Sequence, residues 1–342
     1  MPVISNGSAH FQTVTYTGNG GTNTITGLSF KPDFVWIKGR SGATDHALYD
    51  AVRGTTLDLA SNTTAAETTQ STGLTSFNSD GFTLGALSKV NTNSATYVAW
   101  CWKAGGAGST NTSGTITSTV SANTTAGFSV VGFTGVPISA GASTIGHGLG
   151  VAPSFVIFKN RDAVDGWYCY HASLGNSAYI ILNTTAAQVT GSNLWNSTSP
   201  TSSVLTLRNN SLNSSTSQNL IAYCFAAVAG YSAFGSYVGN NSDDGPFIHL
   251  GFRPRFFMVK DAGTAGAWII IDASRAAYNV SSNYLFPNTP AVEAASPPQC
   301  DFLANGIKLR ANNANSGQNN VAGNTYIYAA FAENPFKYAL AR

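Results

Sequence analysis

Three stretches of the chain are versions of one pattern: SFKPDFVWIKGR from Ser29, GVAPSFVIFKNR from Gly150 and GFRPRFFMVKDA from Gly251. In each, a proline (Pro32, Pro153, Pro254) stands two residues before an aromatic-led apolar run (Phe34, Phe155, Phe256), and the run ends on a lysine. Downstream come YDAVRG from Tyr49, YHASLG from Tyr170 and IDASRA from Ile271, and each copy closes on YVAWCWKAGG from Tyr97, LIAYCFAAVAG from Leu220 or YIYAAFAENPF from Tyr326. From Pro32 to Cys101, Pro153 to Cys224 and Pro254 to Ala330 the separations are 69, 71 and 76 positions. So constant a frame across unrelated loops predicts three copies of one unit of about 110 residues.

The runs are rich in β-branched and aromatic residues, which suit strands. Alternation at Gly81-Phe82-Thr83-Leu84 and Ile307-Lys308-Leu309 has the period of two that a half-buried strand requires. Gly, Asn, Asp and Pro punctuate the chain at short intervals, as in TGNGGTNTITG from Thr17, and no long stretch carries helical spacing. The expected fold is all-β, three tandem antiparallel β-sandwich-like domains: residues 1–105, 116–230 and 231–342. The Gly/Ser/Thr-rich segment at about 103–115 reads as a flexible linker. AVAGYSAFGSY from Ala227 leads almost directly from repeat two into repeat three, so these two are expected to pack as a rigid pair. Trp100, Trp102, Tyr223 and Phe225 alternate along the closing segments. One row of side chains is therefore expected to face its own core and the other a neighbouring domain or chain. A linear and a closed triangular arrangement of the repeats both remain open.

Only 9% of residues are charged and the formal net charge is +2, while hydroxyl and amide residues fill long stretches. No basic face suggests nucleic acid or an anionic membrane as a partner. The amino terminus lacks the basic and apolar regions of a secretory signal. The longest apolar stretch, Leu220 to Gly230, is about half the roughly 20 residues of a membrane-spanning helix. Cys101, Cys169, Cys224 and Cys300 lie far apart with no zinc-type spacing and predict neither a metal site nor a disulfide framework.

Individual motifs favour structural roles over chemistry. Asp50/Arg53 recurs as Asp272/Arg275, but repeat two has His171 and Leu174 there, so the pair reads as a salt bridge or turn brace. His147 and His249 sit at similar places in different repeats and read as turn or interface residues, not metal ligands. Asp243 to Gly245 lacks the acidic spacing of a calcium loop and reads as a solvated turn. TGNGG and GHGLG are not followed by a Lys-Ser or Lys-Thr helix, which leaves no phosphate loop. Cys101 and Cys224 align with Ala330, as small core residues would. No catalytic, metal or cofactor residue is nominated, and no cofactor is expected. Trp167, Tyr168 and Trp195 lie in loop-like surroundings and are the best candidates for stacking on a glycan or contacting a receptor.

With the three copies aligned, the chain resembles a repeat-domain family common in virion structural proteins of tailed bacteriophages, particularly tail-fibre and tail-associated proteins of marine phages. The residues that carry the resemblance are Phe34 to Lys38 after Pro32, YDAVRG from Tyr49 to Gly54, SDGFTLG from Ser79 to Gly85 and YVAWCWKAGG from Tyr97. In the later copies they are HGLGVAPSFVIFKNR from His147, GYSAFGSYVGN from Gly230, GFRPRFFMVK from Gly251 and AAFAENPFKYALAR from Ala329. The resemblance implies a non-enzymatic virion protein on the tail, made in the host bacterial cytoplasm. It would be a fibre, tip or fibre-associated component that contributes to host-cell attachment. Its partners would be other virion proteins and a host surface glycan or protein, and such fibres are usually homotrimers. Here the repeats fill almost the whole chain, which keeps capsid decoration or a head fibre as the alternative. A polysaccharide-degrading enzyme is the third reading, for which no pair of carboxylates can be named.

Overall fold

Each Pro-led run becomes a strand buried on both faces, because alternate side chains pack under a small outer sheet and into an inner aromatic core. The computed structural model describes residues 4–136, 141–192, 194–208, 217–310 and 319–332, and the ending quoted above lies outside them from Glu333 onward. The protein is all-β. Helix among the described residues is limited to a 3-10 turn at Gly7–Ala9 and one turn of α-helix at Ser88–Asn91.

Three main sheets share one strand order. An opening strand (Phe11–Thr17, Phe128–Thr134, Ser232–Val238) pairs with the closing strand (Thr96–Trp102, Asn219–Phe225, Thr325–Ala332). The closing strand pairs in turn with the Pro-led strand (Phe34–Gly39, Phe155–Asn160, Pro254–Asp261). A return strand follows (Ala47–Asp50, Trp167–His171, Ile269–Asp272), then an outer strand (Gly54–Leu59, Ile180–Ile181, Tyr284–Leu285). Every pairing in these sheets is antiparallel. The registers match as well: Phe34 faces Trp102, Phe155 faces Phe225 and Phe256 faces Phe331.

A small sheet covers the outer face of each main sheet. Asn23–Ile25, Gly81–Leu84 and Leu74–Asn78 form the first, Ala142–Gly146 and Val204–Arg208 the second, and Phe247–His249, Gly306–Leu309 and Cys300–Leu303 the third. Gly81 and Gly306 are dictated by contact: a Cβ there would lie 1.8 Å from the Ile25 carbonyl oxygen and 2.1 Å from that of Ile248. The expected all-β class is the one formed; in the first repeat Val35, Ile37, Ala99 and Cys101 pack against Ile25, Phe82 and Leu84 of the small sheet.

The inward faces meet one another. Trp102, Phe225 and Phe331, equivalent residues of the three closing strands, touch mutually with ring centroids 6.1, 5.7 and 5.8 Å apart. Phe34 stacks on Tyr223 at 4.3 Å, and Phe11 packs edge-on against Phe256 at 5.7 Å. Of the two arrangements left open by the sequence, the closed triangle is the one formed. Its centre retains a gap of only about 10 Å³ lined by apolar side chains, including Phe34, Phe155 and Phe256. A space so small and without polar partners stays dry.

Two expectations need correction. The segment at about 103–115 is pinned: Ser109–Asn111 adds an edge strand to the second main sheet, and Gly105 N–H donates to Ser121 Oγ at 2.8 Å. Ser and Thr pair as readily in a sheet as they loosen a linker, so composition could not separate the two outcomes. Second, repeats two and three are no more closely coupled than the rest, because the aromatic faces of all three repeats pool in one inner core.

Candidate functional site

The polar chemistry of the chain concentrates where one repeat meets the next. At each seam the loop after the outer strand of one repeat packs on the hairpin between the Pro-led and return strands of the following repeat. The lysine that ends every Pro-led run is the common element: Lys38, Lys159 and Lys260 are fully buried. Lys159 Nζ donates to Thr64 O at 3.2 Å, Lys260 Nζ to Thr185 O at 3.4 Å and Lys38 Nζ to Pro290 O at 3.2 Å, closing the ring one-to-two, two-to-three and three-to-one. Burial holds all three amines down, to about 8, against the opposing pull of nearby carboxylates. Near each lysine, at the start of the return strand or one residue before it, a second donor crosses the same seam. Trp167 Nε1 donates to Ala60 O at 3.0 Å, Trp268 Nε1 to Ile181 O at 3.1 Å, and His46 Nε2 lies 3.0 Å from Phe286 O.

Two seams add an ion chain. In the first, Asp50 braces Arg53, Arg53 Nη1 donates to Glu67 Oε2 at 2.9 Å, and Arg161 of repeat two grips both Glu67 oxygens at 3.0 and 2.7 Å. Tyr223 of repeat two donates its hydroxyl to Asp50 Oδ2 at 2.9 Å. Burial disfavours the Arg53 charge, but Asp50, Tyr223 and Glu67 outweigh it and hold the guanidinium above its ordinary value. Burial pushes Glu67 upward too, yet Arg161 and Arg53 prevail and hold it below the usual carboxylate range. The seam between repeats three and one repeats the device: Arg275 Nη1 to Glu293 Oε2 at 2.7 Å, Arg40 to both Glu293 oxygens at 3.0 and 2.8 Å, and Trp100 Nε1 to Asp272 Oδ2 at 2.9 Å.

The seam between repeats two and three lacks all of this for a consistent reason. Its equivalent positions hold His171, Leu174, Gln188, Ala262 and Ala329. Ala329 offers no donor where Tyr223 and Trp100 stand, so a buried aspartate there would lack its donor from across the seam. His171 instead places Nε2 3.1 Å from the Tyr328 carbonyl while Nδ1 accepts Ser173 N–H. Burial lowers His171 to about 4, as it lowers His46 to about 3 with help from Lys38 and Lys89 and against hydrogen bonds to Phe286 and Thr289. The Asp-x-x-Arg boxes are thus structural braces, and fully buried ones: the side chains of Asp50, Arg53, Asp272 and Arg275 are all 0% exposed.

The expected glycan contacts fall elsewhere than anticipated. Trp167 is a seam residue on a return strand, and Trp195 is buried with Nε1 bonded to Ala178 O at 2.8 Å and its ring against Phe158 and Tyr170. Neither has a face open to a sugar, because both rings fill space between elements that the sequence could not show to be adjacent. Tyr168 is half-buried and donates to Asp165 Oδ1 at 3.0 Å. His147 is buried in a turn, its Nε2 3.1 Å from Thr201 O and its Nδ1 accepting Leu149 N–H; His249 is exposed beside Phe247. Asp244 of the Asp-Asp-Gly turn pairs with Lys308 at 2.6 Å on the surface. All four cysteines are free and buried, with burial raising each thiol, Cys224 to about 12. Among the described residues no group of three His, Cys, Asp or Glu side chains is placed to hold a metal ion, and no helix is long and apolar enough to cross a membrane.

An open polar cleft of about 230 Å³ lies where repeat one meets the added strands of repeat two, lined by Thr110, Thr117, Thr119, Thr134, Asn219 and Arg161. Its cation is already gripped by Glu67, and it presents no exposed aromatic ring. Arg53 and Arg275 were singled out from sequence as braces, but Glu67, Glu293, Arg161, Arg40 and the seam role of the lysines were not, although a lysine ending all three Pro-led runs was the available signal. A family model described as Domain of unknown function (DUF7483) matches residues 6–335, and no curated protein matches.

Proposed function

We propose that this chain, which belongs to the DUF7483 family over nearly its whole length, is a non-enzymatic structural protein of a tailed-phage virion. We place it on the tail as a fibre, tip or fibre-associated component that contributes to host-cell attachment. The observation that carries the non-enzymatic reading is the fate of the acidic residues in the Asp-x-x-Arg boxes. Asp50 and Asp272 are fully buried, and their oxygens are taken by Arg53 and Tyr223 or by Arg275 and Trp100. A general acid or nucleophile must reach substrate, and these do not. The virion reading rests on the resemblance of the three copies, supported by a rigid ring with few surface charges and a hydroxyl- and amide-rich exterior. A ring complete within one chain also favours a single-chain unit over the homotrimer that the resemblance implies.

Gold-labelled antibody against the chain, imaged on intact particles, tests the location. Gold on the tail or its fibres supports attachment, and gold over the head moves the assignment to capsid decoration. Particles without gold overturn the virion reading. Release of sugar from host envelope polysaccharide by the purified protein would restore the enzyme reading.

A further inference from the structure

The three opening strands are equivalent in register, yet their outer edges meet three different fates. In repeat two, Gly127 and Gly135 mark the residues bonded to the closing strand, so Phe128, Val130, Gly132 and Thr134 turn their backbone groups outward. The chain itself fills that edge with Ser118–Asn123, paired antiparallel along six residues. In repeat one the outward residues are Phe11, Thr13, Thr15 and Thr17, and two of the outward carbonyls are capped by side chains, Thr13 O by Arg255 Nη2 at 3.3 Å and Thr17 O by Asn23 Nδ2 at 3.1 Å. In repeat three, Tyr231 and Gly239 bond the closing strand, which leaves Phe234, Ser236 and Val238 outward. No hydrogen bond to the outward N–H or C=O groups of these three occurs among the described residues. The edge carries no charge and no proline, the usual protections of a free strand.

A second observation concerns the shelf beside the edge. In repeat one the turn Ala51-Val52, which lies beside the filled edge, is half-buried, and a Cβ at Gly132 of the opening strand would stand 3.0 Å from Val52 Cγ1. The equivalent turn beside the open edge, Ala172-Ser173, is exposed, as are Ser236 and Val238. Space that the chain fills in repeat two is filled by none of the described residues in repeat three.

We infer that the outer edge of Phe234–Val238 is a strand-addition site that takes an extended, uncharged, Ser/Thr/Val-rich segment of another protein, paired antiparallel as Ser118–Ser121 pairs with Val130–Phe133, while Ser232 is already paired with Val228. Main-chain hydrogen bonds supply the attraction, and the Ala172-Ser173 shelf selects small side chains on one face of the incoming strand. This inference is independent of where the protein resides on a particle.

The probe is a synthetic peptide with the sequence of residues 116–125, at millimolar concentration, read by backbone amide exchange of the full chain. The expected result is at least tenfold slower exchange at Phe234, Ser236 and Val238. Ser236→Pro removes one outward N–H without touching the ladder to the closing strand and should abolish the effect. A peptide N-methylated at the positions of Thr119 and Ser121, which cannot pair, should be inert on the unaltered protein, so the test survives a folding defect in the proline variant. Unchanged exchange at the three amides with the unmodified peptide, or equal protection by the N-methylated one, overturns the inference. So does concentration-dependent dimerisation that protects the same amides while the peptide leaves them unchanged, since the edge would then serve a second copy.

Discussion

Replacing Glu293 by Gln tests whether the ring is held shut by its ionic seams. The Glu293 side chain is 9% exposed and accepts from Arg40, from Arg275 and from Asn283 Nδ2 at 2.8 Å. A glutamine keeps the shape but loses the charge, and turns an NH₂ group toward donors that cannot accept from it. Arg275, with its side chain fully buried, retains Asp272 as its one carboxylate beside the Ile270 carbonyl, while Arg40, 24% exposed, recovers part of its loss in water. Removing one partner of a buried pair costs about 3–5 kcal/mol. The partial exposure of Arg40 puts the expected loss at the low end, about 3 kcal/mol, or roughly 150-fold in the folded-to-unfolded ratio. Gln188→Glu asks the converse at the seam without an ion chain, where Leu174 and Ala262 offer no guanidinium and the only lysine is the buried Lys260. Gln188 is half-buried, so the added charge should cost less, about 1–2 kcal/mol. Urea unfolding followed by tryptophan fluorescence measures both, and the inner core shared by the three sheets requires one transition in each case. A loss below about 0.5 kcal/mol for Glu293→Gln, the scale of an ordinary surface substitution, would falsify the seam argument, as would three separable transitions in the unaltered protein.

Three other outcomes follow from the same geometry. Lys38, Lys159 and Lys260 titrate near 8 in the folded protein, and at about 10.4 when unfolded; between these values the unfolded state binds more protons, so each lysine's own contribution to stability should rise with pH from 8 to 10, by at most about 1.4 kcal/mol per pH unit, opposed by the four buried thiols, whose folded values lie above the unfolded one. The lysine contribution is read as the difference between the unaltered protein and Lys38→Met, and an identical pH dependence of the two over that range would show the amine to be solvated. His46 and His171 titrate near 3 and 4 when folded, and near 6.5 when unfolded, so the unfolded state takes up their protons first and stability should fall between pH 6.5 and 4; His171→Gln, which can still donate to the Tyr328 carbonyl, should shallow that fall in acid melts. Residues 1–105 expressed alone should not yield a folded monomer, because Phe11, Phe34, Trp36, Trp100 and Trp102 would expose an apolar face on the order of several hundred Å²; a monodisperse, cooperatively melting fragment would contradict the shared core.

Much of the fold could be read from the sequence, and the parts that could not have a common cause. The Pro-led runs, the closing strands and the alternation of Trp100 and Trp102 are local patterns, and they gave the strand class and an inward row of aromatics before any contact was known. Seam chemistry is not local. Glu67 and Arg161 are 94 positions apart, and Arg40 and Glu293 are 253 apart. Trp167 shows the consequence: in sequence it sits among Asp, Gly and Tyr like an exposed loop residue, and only the position of Ala60 and Thr63 in the preceding repeat reveals why it is buried.

The departures between copies are more informative than their agreement. Repeat two lacks the Asp-x-x-Arg box, and read alone that looks like an imperfect copy of the motif. Seen across the seam, five positions differ together: His171 stands for the acid, Leu174 for its arginine, Gln188 for the loop glutamate, Ala262 for the hairpin arginine and Ala329 for the aromatic donor. Any one of these changes alone leaves a buried charge or donor without its partner, which costs more than changing the whole set. The set also makes the seams non-interchangeable. The hairpin of repeat one, docked on the loop of repeat two, would set Arg40 against Gln188 and Leu174, with no carboxylate to meet it. Head-to-tail contacts between identical units can close into a ring or run on into a filament. Here the ionic seams at both ends of repeat one and the seam without an ion chain opposite assign each repeat a single neighbour on each side, and the ring closes within one chain.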